Sequence, residues 1–161
     1  APDGSQTAQS LVEDTSAGTH FIYRFSTLTT GTSGSVYVKA NGRTKVGFGD
    51  GSNQYLAKFD LSSGTVTTTS SNGVTGGAIQ SVGNGWYRIS FQYTGSTVSL
   101  ALFLLDASGN ASYTGNGYSG ILIWGAQLEQ RSSVTAYTPT TSSPTTPIEA
   151  NNPPIFPEML P

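Results

Sequence analysis

Cysteine is absent from the 161 residues, which excludes disulfide frameworks and zinc sites built on thiolates. Charge is scarce too: Asp, Glu, Lys and Arg make up 10 % of the chain, and the net charge is −2. The seven basic residues are scattered, so nothing in the sequence draws a nucleic-acid backbone. No run is long and apolar enough to insert in a membrane; the most apolar stretch, 98–105, is short and alternates through Ser99 and Ala101. Helical periodicity is nearly absent as well. The chain opens at Ala1 with neither Met nor a signal peptide, which reads as a processed product or the ordered part of a longer protein.

Gly, Ser, Thr and Asn are abundant, and aromatics reach 11 %, mostly Tyr and Phe inside β-branched runs. That is the composition of a β-sheet protein with many turns, and it argues against charge-driven disorder. Alternation predicts strands over 20–25, 34–40, 44–48, 55–60, 65–70, 78–82, 86–93, 98–105 and 121–129. Between them lie turn formers, among them Asn41-Gly42, Asp50-Gly51, Asn72-Gly73, Asn84-Gly85 and Asn116-Gly117. Strands at such short, regular spacing predict an all-β, two-sheet sandwich in which each strand buries one face.

Individual faces are readable. In 86–93 the set Tyr87, Ile89, Phe91 and Tyr93 faces the core, opposite Trp86, Arg88, Ser90 and Gln92. In 98–105, Val98, Leu100, Leu102 and Leu104 oppose Ser99, Ala101 and Phe103. The segment 121–129 is largely apolar on both faces, which predicts a central strand. The composition changes after Tyr137. Residues 1–137 form the sandwich module, whereas 138–161 holds seven prolines and no glycine and is expected to be an extended arm or linker. Its tip, with Pro153, Pro154, Ile155, Phe156, Met159 and Leu160, is apolar again. Such an arm either docks on a neighbour, folds back on its own sandwich or leads into a further domain.

Catalysis finds little support. A glycosidase needs two carboxylates held across a scissile bond, yet no strand shows acid-x-acid spacing, and Glu13 and Asp14 diverge if extended. His20 is the only histidine and no G-x-S-x-G elbow accompanies it, so the chain reads as a non-enzyme. No cofactor is expected. Asp106-Ala107-Ser108-Gly109-Asn110 resembles the start of a calcium loop, but Gly117 stands at the twelfth position, and a hairpin turn is the better reading. A single structural calcium held partly by backbone carbonyls would leave little trace. For sugars the requirement is an aromatic platform beside planar hydrogen-bonding groups. Candidates are Tyr113, Tyr118 and Asn116 in one loop, and Tyr55, Asp50 and Asn53 in another, with Trp86 and Gln54 as further options. The alternative for each tyrosine is packing over a sheet edge.

A series of motifs runs through the chain in order: Ala1-Pro2-Asp3-Gly4, Leu11-Val12-Glu13-Asp14, Ser35-Val36-Tyr37-Val38, Phe59-Asp60-Leu61, Gly85-Trp86-Tyr87-Arg88, Trp124-Gly125-Ala126-Gln127-Leu128-Glu129 and Tyr137-Thr138-Pro139. Over roughly residues 1–140 this series resembles the carbohydrate-binding-module-like jelly-roll domain of phage tail-fibre, tailspike and other virion proteins. The resemblance implies a concanavalin-like or galactose-binding-like jelly roll, placed on a virion surface or otherwise extracellular. Its partners would be other virion subunits, in an oligomer, and host surface polysaccharide. Trp86, Arg88, Trp124, Gln127 and Glu129 match the family signature, and Arg88 with Glu129 is expected to form a partly buried ion pair. A strand that relatives place before the Pro-Asp-Gly segment is missing here, so an edge of the sandwich is expected to lie open. The function implied is non-catalytic attachment to glycans. Its rivals are a purely structural virion protein assembled through the arm and the open edge, and, less favoured, a polysaccharide lyase or hydrolase.

Overall fold

A computed structural model of the chain describes residues 1–49, 56–68, 73–95 and 97–140, with the backbone alone at 24–28, 56, 68 and 97–99. The Asp50, Asn53 and Tyr55 candidates, with Gln54 beside them, lie outside the described residues, as does the apolar tip from Pro153 to Leu160. The strands are β1 (Gln9–Val12), β2 (Ala17–Thr19), β3 (Phe21–Leu28), β4 (Thr32–Asn41), β5 (Lys45–Gly49) and β6 (Leu56–Asp60), continuing with β7 (Thr65–Thr68), β8 (Val74–Gly83), β9 (Trp86–Tyr93), β10 (Thr97–Leu105), β11 (Ser112–Thr114) and β12 (Gly120–Glu129). The described residues contain no helix. One five-stranded sheet has the order β1-β12-β4-β9-β8 and the other β3-β10-β5-β6-β7, while β11 and β2 form a small third sheet. All named strand pairs are antiparallel.

The two large sheets pack as a sandwich through the faces that alternation marks. Ile89, Phe91 and Tyr93 of β9 meet Val46 and Phe48 of β5 and Leu102 and Leu104 of β10 in one core. Each such side chain contributes about 1.5–3 kcal/mol when fully buried. The Phe48 and Phe91 rings cross edge-on at 4.7 Å, and Gly34 on β4 makes room for them: a Cβ there would lie 2.5 Å from the Phe91 ring. The turn between β8 and β9 uses Asn84 (φ 52°) and Gly85 (φ 77°), the left-handed pair that a two-residue hairpin turn needs.

Two strands differ from the expectation. On β10 both faces are buried, because Ala101, Phe103 and Leu105 form a second small cluster with Phe21 and Ala111 on the far side of their sheet. β12, expected to be central, lies next to the edge. Its partner β1 covers only Gly120 to Ile123, and among the described residues no strand pairs with 124–129 on that side. Among the described residues β3 likewise pairs only with β10. The core layer defined by Phe48 and Phe91 runs out at this side of the sandwich. There Ile22, in register with Leu102, is 47 % exposed, and Leu128, in register with Gly34, is 37 % exposed.

Candidate functional site

Glu13 follows β1 and turns inward at one end of the sandwich, where its amide donates to the Ser119 carbonyl at 3.0 Å. Its side chain has no solvent exposure, and both oxygens are fully engaged. Oε1 accepts Arg43 Nη2 at 2.6 Å and the Asn116 amide at 2.9 Å. Oε2 accepts Arg43 Nε at 2.6 Å and the Tyr113 hydroxyl at 2.7 Å. Burying a carboxylate is costly unless it is paired and every lone pair is used, and here a bidentate guanidinium does most of that. The Arg43 guanidinium holds the Glu13 carboxyl at about 2, against an ordinary 4.5; burial opposes this, and the Tyr113 hydroxyl and Asn116 amide assist. The Tyr113 phenol is pushed up, first by burial and then by its bond to Glu13.

The Tyr113 ring is engaged as well. The Arg43 guanidinium lies 4.8 Å from its centroid and the His20 ring 4.7 Å. His20 is buried, with Nε2 3.4 Å from the Tyr113 carbonyl oxygen and Nδ1 3.4 Å from Asp14 Oδ1. Tyr113 therefore belongs to the internal bracing and offers no open platform, whereas Tyr118 does the reverse. Asn116 is fixed through its backbone by Glu13, and its side-chain carbonyl accepts the amides of Tyr118 at 3.0 Å and Ser119 at 2.8 Å. Its side-chain amide donates to Ser119 Oγ at 2.9 Å. This pinned turn carries Tyr118 outward, 75 % exposed. Nearby in the same bracing, the Asp14 side chain is 73 % exposed, with Oδ1 accepting the Ser16 amide and hydroxyl. Beside Arg43 lies a hollow of about 100 Å³ lined by Gly42, Arg43, Thr44, Leu105, Asp106 and Ala107. That is smaller than the roughly 300 Å³ at which enclosing ligand pockets begin.

The signature residues assemble elsewhere, on the outer face of the β12–β4–β9 sheet. Trp124, Tyr37 and Arg88 stand side by side across three strands. The chain after β12 folds back over them. The Tyr137 ring packs 4.6 Å from Trp124 and 6.2 Å from Tyr37, and the Thr138 amide donates to Gln127 Oε1 at 2.8 Å. Trp86, on the same face as Arg88, is buried outside the main core. The expected Arg88–Glu129 ion pair is not formed. Arg88 faces Tyr37 and Glu129 faces Ser33, two same-face steps apart on β4, too far for direct contact. Thr135 bridges them: its carbonyl accepts Arg88 Nη2 at 2.7 Å, while its amide and hydroxyl donate to Glu129 at 3.0 and 2.6 Å. Burial raises the Glu129 carboxyl, but hydrogen bonds from Thr135 and Gln127, with Arg88 nearby, bring it net below the usual range.

The Asp106 segment is a turn, as expected. Its carboxylate accepts the Asn110 amide at 2.7 Å and Asn110 Nδ2 at 3.0 Å, so the oxygens close the turn. Among the described residues no group of three or more His, Cys, Asp and Glu stands together. Glu13 stands in the Leu11-Val12-Glu13-Asp14 motif, but nothing in the sequence joins it to Arg43, Tyr113 and Asn116, since these partners lie 30 to 103 residues away. The chain matches no family model and no curated protein.

Proposed function

We propose that this protein is a non-catalytic, jelly-roll attachment module of a phage virion, in a tail fibre or surface decoration, that holds surface glycans at the end of the sandwich carrying Tyr118. The observation that carries this reading is the pinned turn at Asn116, which presents an aromatic ring to solvent from a backbone that is already ordered, so binding has only the side chain left to fix. A sugar's apolar face stacks on such a ring, and the exposed Asp14 supplies an acceptor for its hydroxyls. Non-catalysis is supported by the state of the carboxylates. Glu13 is buried and spent on Arg43, so it offers neither a base nor a nucleophile, and Asp14 points the other way. A site of one ring and a few polar groups binds weakly and gains strength through repetition on a particle.

The test is a glycan array probed with the protein displayed as a multimer. Specific binding that Tyr118→Ala abolishes, with melting unchanged, is the expected outcome. Absence of binding by folded, multimeric protein overturns the reading. A second reading, a structural virion protein built in through its open side, is favoured by the unpaired half of β12 and the exposed Ile22 and Leu128.

A further inference from the structure

We infer that the open side of the sandwich joins two copies of this chain through antiparallel pairing of β3 with β3 of the second copy. The inference rests on the assembly reading and names its partner and surface. The four sheet edges are not alike. β1 and β7 have four residues each, and β8 is interrupted by register shifts at Thr75/Ala78 and Ser81/Gly83. Short strands and bulges are what keep edges from pairing. β3 is regular from Phe21 to Phe25, and its one register shift lies beyond, between Phe25 and Leu28; it runs eight residues, Phe-Ile-Tyr-Arg-Phe-Ser-Thr-Leu, without Pro, Lys, Asp or Glu. The Leu104 amide bonds the His20 carbonyl, and the ladder continues from there into β3, so alternate β3 backbone groups point away from β10.

The side chains fit the same use. Ile22 and Leu128 face the interior of the sandwich from opposite sheets in the same core layer, yet both are exposed, so a second copy would complete that layer. Antiparallel pairing of a strand with its own copy closes on a two-fold axis and leaves no further β3 edge. Eight residues span about 27 Å, and two sheets with their outer side chains are about 20 Å thick, so roughly 500 Å² is covered per copy, or about 1,000 Å² in all. That sits at the lower bound for a specific interface, which predicts a concentration-dependent dimer. With a net charge of −2, long-range repulsion between copies is small.

The experiment is analytical ultracentrifugation of the full chain from low micromolar to millimolar concentration, paired with amide hydrogen exchange at each end of that range. A monomer–dimer equilibrium is expected, with exchange in β3 slowing as the dimer forms. Ile22→Lys places a charge in the shared layer and should weaken the dimer about tenfold or more. Leu128→Ser serves as a second variant if the first alters folding. Oligomers with unchanged β3 exchange would discard this interface and keep the assembly reading. A monomer at every concentration would discard both, and a monomer whose β3 amides are already protected would assign the edge to another part of the chain.

Discussion

A carboxylate held near 2 in a chain with so little charge is a structural anchor. Glu13 ties the end of β1 to Arg43, to Tyr113 and to the turn that presents Tyr118. Its folded value lies below its unfolded one, so its stabilisation is complete above pH about 4.5 and disappears as the pH falls toward 2. The shift corresponds to at most about 3 kcal/mol. Thermal melting of the wild type and Glu13→Gln should therefore differ most near neutral pH and converge in acid; parallel curves down to pH 2 would refute this account. The site candidates show what sequence can mark at this scale. From the sequence, Tyr113 and Tyr118 belong to one loop with the same apparent chance of exposure, whereas the structure places Tyr113 on β11. Only the arrival of Glu13, Arg43 and His20 from distant segments turns one into a brace and leaves the other exposed. Sequence spacing carries no trace of that.

Strands were legible wherever alternation ran long enough. The segments at 86–93 and 98–105 appear as β9 and β10 within one residue, because their apolar sets face the core. β2 and β11, of three residues each, and β1, of four, are too short to show a period. Strand order was not legible: two apolar faces on β12 pointed to a central place, but its outer face is covered by the chain that follows it. That returning segment depends on Thr135. Thr135→Val keeps the shape but removes the hydroxyl bond to buried Glu129, at a cost of about 1–3 kcal/mol. Melting should register that cost, and tryptophan fluorescence should change as Tyr137 loosens from Trp124. β1 depends on Gly120, where a Cβ would collide with the Leu11 carbonyl oxygen. Gly120→Ala should speed amide exchange in β1 while leaving β9 protected; uniform exchange would show that β1 does not open as a separate unit.

For the molecule as a whole, the sandwich class followed from composition and alternation, while the inequality of its edges did not. Among the described residues, β7 is cut short, β8 is broken by bulges, and the side formed by β3 and the far half of β12 is open in both sheets. The proposed attachment site lies at one end and the proposed association surface along one side, so a dimer would carry two Tyr118 rings.

The pairing of β1 with β12 has a mechanical consequence. Gln9, where β1 begins, lies opposite Ile123, and β12 continues from there to Glu129, so the chain enters and leaves toward the same end of that pair. Tension applied between residues 9 and 129 therefore loads the four rungs of β1 in succession, as in peeling a tape. The module should yield under low force at that strand while the remainder of the sandwich stays folded.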